Sequence, residues 1–196
     1  MKHTLAEVAL DQLFREARSY NRWLPDAISE QTLRCLYSLV KFGPTSFNCC
    51  PARFVFVTSP SAKAKLVHCV ASGNAVKVEQ APVTVIIGMD TKFDEKISLL
   101  NPQSSRAVNL FKDPAFAQIT MVRNSSLQGA YLIIAARALG LDCGPMSGFD
   151  HAKVDSTFFA GTAFASNFIC ALGTGTREKL SPRGPRLTFD DACRII

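Results

Sequence analysis

The stretch from Asn124 to Phe149, NSSLQGAYLIIAARALGLDCGPMSGF, constrains this chain more than any other. Between Gln128 and Leu141 it carries a single charge, Arg137, and Tyr131, Leu132, Ile133, Ile134, Leu139 and Leu141 leave no clear polar face. A surface helix keeps one polar side, whereas a helix that is apolar all round belongs in an interior. Ala130, Ala135, Ala136 and Ala138 favour the helix and are small enough to let a neighbouring helix come close. Gly140 suits a left-handed stop just past the helix end, and Pro145 bars easy resumption. The pattern predicts a buried helix running from near Pro114 to Leu139, followed by a small-residue loop, Gly144-Pro145-Met146-Ser147-Gly148. Such a loop can hold a ligand against bare backbone. Taken alone, though, the stretch reads first as a core helix and an ordinary turn.

The elements before it alternate. Leu5, Val8, Ala9 and Leu13 recur at helical spacing and predict an amphipathic helix over residues 4–18, ending at Arg18-Ser19-Tyr20-Asn21. Ser29 can cap a second helix carrying Leu33, Leu36, Tyr37 and Val40, which Gly43-Pro44 stops. A loop fenced by Pro44 and Pro51 leads into a β-rich run, Arg53–Thr58. A short helix over residues 61–70 comes next, and then the apolar run Pro82–Met89, typical of a strand covered on both faces. Residues 91–113 are poorly periodic and predict a loop with short helical pieces, a candidate lid with Phe93 and Phe111. Asp150 can cap a helix with Val154, Phe158 and Phe159, and Ser166–Gly173 reads as a third strand. A Pro/Arg-rich tail with a short helix closes the chain. The result is one α+β domain over residues 1–196, with a small sheet flanked by helices.

Composition narrows the functional classes. The net charge of +6 admits an anionic ligand, but the basic residues are scattered. Without a basic stripe bearing aromatics, a small anion suits them better than nucleic acid. Seven cysteines at 35, 49, 50, 69, 143, 170 and 193 form no CxxC pair and point to a reducing, cytoplasmic setting without disulfides. Cys35 and Cys170 read as ordinary buried thiols, and Cys49, Cys50 and Cys143 have no activating neighbour in sequence. His3, His68 and His151 lack ligand spacing, so no metal site is expected. No signal-peptide form and no run of membrane-spanning length is seen.

What remains is a set of polar loops at element ends: Arg18-Ser19-Tyr20-Asn21, Pro44-Thr45-Ser46-Phe47-Asn48, Gly144–Gly148, and Arg183-Gly184-Pro185-Arg186. Singly each is a turn. Together they offer arginines for a phosphate, with hydroxyls, amides and bare backbone for a flat ring. In this order they resemble the FMN-dependent nitroreductase family. The Arg18-Ser19 pair looks like that family's phosphate motif, and GPTSFNCCPARFVF is similar to its P-S-x-x-N-x-Q-P-W-R-F loop and strand. ALGLDCGPMSGFD resembles its central helix and flavin-facing loop, and Arg186 its last phosphate-binding arginine. With ASGN74, RNSSLQGAYLI and GPRLTFDDA, the likeness within the family is closest to the malonic semialdehyde reductases of bacterial pyrimidine degradation.

The resemblance implies a homodimer with two FMN sites at the interface and NADH or NADPH as co-substrate. Arg18 and Arg186 would bind the FMN phosphate, and Ser19 the phosphate or the ring. Pro44, Thr45, Ser46 and Asn48 would reach the partner's flavin. Pro145, Met146, Ser147 and Gly148 would lie against the isoalloxazine. Asn21 stands where a second arginine is common, Gly184 where a lysine is usual, and Cys50 and Ala52 where Gln and Trp are usual. Arg22 and Arg183 are the candidates to replace the missing cations, and Arg123 is the candidate for a substrate carboxylate. No residue is assigned a catalytic role. The implied activity passes hydride from NAD(P)H through FMN to malonic semialdehyde. The alternatives are a broad nitroaromatic or quinone reductase and a non-catalytic flavin-binding protein.

Overall fold

The computed structural model describes residues 3–196. Its centre is a four-stranded antiparallel sheet in the order β1-β2-β4-β3. The strands are β1 (Ala52–Val57), β2 (Val83–Asp90), β3 (Asp142–Met146) and β4 (Phe164–Gly173). One face is covered by α2 (Glu30–Val40) and α7 (Pro114–Ala138), which come after the short α1 (Glu7–Leu10) in chain order. The other face is covered by α3 (Pro60–Val67), α4 (Ser72–Gln80) and α8 (His151–Phe158). Strand alternation divides the core accordingly. Val83, Val85 and Ile87 of β2 pack toward α2 and α7 with Cys170 and Leu172 of β4. Ile86, Ile169 and Ala171 pack toward α3, α4 and α8. The expected two-sided cover of the second strand is therefore present.

Local chemistry explains the helix starts. The Ser29 hydroxyl accepts from Thr32 N–H, Asp113 from Ala115 N–H just before Pro114, and Asp150 from Lys153 N–H. The last helix, α9 (Phe189–Ala192), carries a capping box between Thr188 and Asp191.

Several expectations need correction. The first helix does not bury its apolar side: Leu5 and Val8 are exposed, and its second half winds as a π-helix over Asp11–Arg15. Cys35 is exposed on α2. The sheet has four strands rather than three, because Asp142–Met146 pairs with β4 where a loop was expected. Pro145 is compatible with this strand because β3 is an edge strand. Residues 91–113 form α5 (Ile97–Leu100) and α6 (Ser105–Leu110) after a 3-10 turn. Phe93 and Phe111 are buried in a satellite core with Cys49, Ile97, Ala107 and Met121, so they are packing residues and not a lid.

The long helix is also not covered all round. Thr120, Met121, Asn124, Ser125, Gln128, Gly129, Leu132, Ala135 and Ala136 are buried. Phe116, Ile119, Val122, Leu127 and Tyr131 form an exposed apolar stripe.

Candidate functional site

Arg18, Ser19, Asn21, Arg183 and Arg186 meet in one cleft of about 410 Å³. Two segments far apart in sequence build it. The arm after the π-helix supplies residues 17–21, and the tail supplies residues 180–186. Arginines tie them together. Arg18 Nη2 donates to Ser181 O, and Arg183 Nη2 donates to Arg15 O and Ala17 O at 2.7 and 2.8 Å. Arg186 Nη1 donates to Gly184 O and Pro185 O, folding back on its own turn. Arg22 donates to Asn21 O and is not among the cleft residues.

Sequence reasoning missed a fourth arginine here. Arg137, in the last turn of α7, is a wall of the cleft. In the sequence it is the lone charge between Gln128 and Leu141. The signal was available, since one arginine in such a stretch demands either a partner or a ligand. The cleft is lined by four arginines and no acid.

The arm reaches the sheet through a bridge between Ser19 and Cys143, with Tyr20 N–H donating to Cys143 O at 3.0 Å. This sets Arg18 and Ser19 beside β3, and the Pro145–Gly148 segment continues from there. Met146 is buried, so only its backbone is available to a ligand, whereas Pro145, Ser147 and Gly148 are exposed. Gly148 O accepts from Ala71 N–H and from Asn74 Nδ2, at 3.0 and 2.9 Å. The ASGN74 motif thus holds the turn after β3 in place, through a helix (α4) that the sequence had not predicted.

Thr45, Ser46 and Asn48 lie elsewhere. Their loop is a 3-10 turn with Phe47, Asn48 and Cys50 at positive φ, a conformation costly for non-glycine residues unless the surroundings enforce it. Here they do. Ser46 N–H donates to Asn124 Oδ1 at 2.8 Å, Asn48 Nδ2 to Leu100 O at 2.8 Å, and Asn101 Nδ2 to Phe47 O at 3.1 Å. Gln128, one turn on from Asn124, accepts from Ala52 N–H at 2.8 Å. Two buried amides of α7, Asn124 and Gln128, therefore position this loop. Beside it Cys50 and Ala52 line a cavity of about 510 Å³ with Arg53, Lys96 and Gln128. Pro44 is exposed at the loop's start, and Arg123 is exposed on α7.

Two buried thiols, Cys49 and Cys170, are held in the protonated form. Burial, and then the neighbouring Cys50, push Cys49 up to about 11. A hydrogen bond with Cys143, together with burial, raises Cys170 well above its ordinary value. Among the described residues no group of His, Cys, Asp and Glu could hold a metal, and no helix is long and apolar enough to cross a membrane.

Against known proteins, the nitroreductase family profile matches residues 14–175. The chain belongs to the nitroreductase family. A Caulobacter sp. (strain K31) nitroreductase relative, provisionally named NADH dehydrogenase/NAD(P)H nitroreductase, is 56% identical, over 98% of each chain. A Ralstonia nicotianae relative with the same provisional name is 52% identical, over 98% of this chain and 99% of its own. Among solved structures, a provisionally named nitroreductase from Exiguobacterium sibiricum in complex with FMN superposes with a TM-score of 0.83 at 16% identity. That match covers all of both chains. An enone reductase of gut-bacterial fatty acid saturation superposes at 0.82 with 21% identity, over 98% of this chain and all of its own. These two likenesses establish the nitroreductase fold for this chain.

Proposed function

We propose that this chain is an FMN-dependent NAD(P)H oxidoreductase. The observation that carries the reading is the cleft with four arginines and no acid, beside the edge strand β3, which among the described residues pairs on its outer side only through the Ser19–Cys143 bridge. Mutually repelling guanidinium groups in one cleft suit a phosphomonoester, the group for which arginine's planar fork is best matched. Arg137 lines the cleft with only Nη1 engaged, to Leu13 O, so among the described residues its Nη2 is left for an anion to satisfy. FMN therefore fits the residues present.

Arg18, Ser19, Asn21 and Arg186 hold the phosphate, while Arg183 chiefly pins the tail to the arm. Pro145–Gly148 present backbone to the ring, kept in place by Asn74. Bound FMN supplies the hydride chemistry that the described side chains lack.

The Thr45–Asn48 loop serves the site of a second copy in this reading. Its anchor, Asn124, lies more than three helical turns from Arg137, about 20 Å at the α-helical rise of about 1.5 Å per residue. The exposed stripe of α7 gives a surface over which two copies can pair. The proposed assembly is thus a homodimer with two interfacial FMN sites.

The finer reading is reduction of malonic semialdehyde to 3-hydroxypropionate, with hydride delivered to the aldehyde carbon. It is supported by the sequence likeness across ASGN74, RNSSLQGAYLI and ALGLDCGPMSGFD. In it, Arg123 takes the substrate carboxylate. Steady-state kinetics on malonic semialdehyde and on propanal test this. The acid is preferred, and Arg123→Ala erases the preference while leaving NAD(P)H oxidation intact. Equal turnover of both, alongside faster nitroaromatic reduction, makes the chain a broad nitro or quinone reductase instead.

A further inference from the structure

We infer that Arg137 is the innermost anion clamp of the arginine cleft and replaces the cation missing from the Arg18–Asn21 arm. The inference rests on the FMN reading and concerns which side chain gives the cleft its preference for a phosphate.

Arg137 differs from its three neighbours in how it is held. Arg183 and Arg186 are exposed and Arg18 is half-buried, and the hydrogen bonds of all three go to backbone carbonyls of the arm, the tail and the end of the π-helix. Arg137 sits on a helix. Its Nη1 donates to Leu13 O at 2.9 Å, and its own carbonyl accepts from Gln12 Nε2 at 2.6 Å, locking the end of α7 to the π-helix that leads into the arm. The guanidinium is therefore held in place before a ligand arrives. Nη2 has no partner among the described residues, and Nε is buried without one. A buried unpaired donor costs about 1–3 kcal/mol, and more when charged, so a satisfied alternative is strongly favoured.

A carboxylate within the protein does not provide that alternative. Asp142 is near enough for Arg137's charge to draw its carboxyl down, although burial and the net balance raise it. Yet Asp142 forms no ion pair with Arg137 among the described residues, and its Oδ2 is already taken by Gly175 N–H at 2.8 Å. The remaining acceptor is one that enters the cleft. Arg137 also answers which residue makes up for Asn21 and Gly184: Arg183 spends its Nη2 on Arg15 O and Ala17 O, and Arg22 stands outside the cleft.

Direct binding tests the assignment, with apo protein titrated with FMN and with riboflavin by flavin fluorescence. Arg137→Met lowers FMN affinity about 10- to 100-fold, the equivalent of one charge-assisted hydrogen bond, and leaves riboflavin affinity unchanged. Arg137→Lys, which keeps the charge without the fork, recovers part of the loss. Inorganic phosphate competes with FMN on the wild type and does so less on Arg137→Met. If the two flavins weaken equally, Arg137 only braces the arm and the inference is overturned. If FMN binds Arg137→Met as tightly as wild type, the inference fails while the FMN reading stands. Wild type that binds FMN no better than riboflavin overturns both.

Discussion

Asp90 ends β2 with its carboxylate buried between two cations. Arg53 Nη2 is 2.5 Å away and Lys96 Nζ 3.1 Å away, both on Oδ2. Burial by itself pushes the carboxyl up. The Lys92 N–H, the Lys96 ammonium and the Arg53 guanidinium outweigh it and hold the group below its ordinary value. A depressed folded-state pKa contributes stability above the unfolded pKa and loses it as pH falls through the folded value. Asp90→Ala should therefore cost about 3 kcal/mol at neutral pH, by leaving Arg53 without its partner. Urea unfolding should show the gap between variant and wild type closing below about pH 4, the unperturbed carboxylate range. A gap that persists unchanged into acid would mean that packing, not charge, is lost. The same distinction between a charge and its setting governed the site. Arg18, Ser19, Asn21, Arg183 and Arg186 were legible because they cluster in two short polar runs. Arg137 was not, because its place in the cleft depends on where the end of α7 lands, which residue type alone does not tell.

Among the elements, the helices whose ends carry local signals were legible. Ser29, Asp113-Pro114 and Asp150 each act through a hydrogen bond within two or three residues, so no tertiary knowledge was needed. β3 was not legible, since Gly144-Pro145 is turn chemistry everywhere except on an edge strand. Nor was α4, whose only buried residue is Val78. Gly144 shows what β3 requires. A Cβ there would sit 2.6 Å from Tyr20 O and 3.0 Å from the Trp23 ring. The nearer atom is backbone and belongs to the arm that carries Arg18 and Ser19. Gly144→Ala should therefore push the arm off the sheet, costing roughly 1–3 kcal/mol, as overpacking does. It should also weaken flavin binding although no ligand-facing side chain has changed. A thermal melt and a flavin titration on the same sample check this, and an unaltered pair of values would show that the arm does not depend on this close approach.

For the whole molecule, the buried character of α7 was read correctly but assigned too widely. Half of the helix closes the core of its own chain, and Ala135 is part of that half. The other half is the stripe of Phe116, Ile119, Val122, Leu127 and Tyr131, with Ala130 exposed among them. An exposed apolar surface of this kind marks an interaction site. Ala130→Glu should convert a sedimenting dimer to monomer and lower FMN retention, with far-UV circular dichroism preserved. A wild-type monomer that keeps its flavin would refute the paired arrangement. The central claim, a flavin-dependent oxidoreductase, is tested most directly by anaerobic titration of the FMN-saturated protein with NADH and with NADPH, following flavin absorbance near 450 nm. The account predicts complete bleaching at one equivalent of at least one donor per bound FMN. Flavin that stays oxidised with excess of both, or a protein that binds no FMN at all, would contradict it.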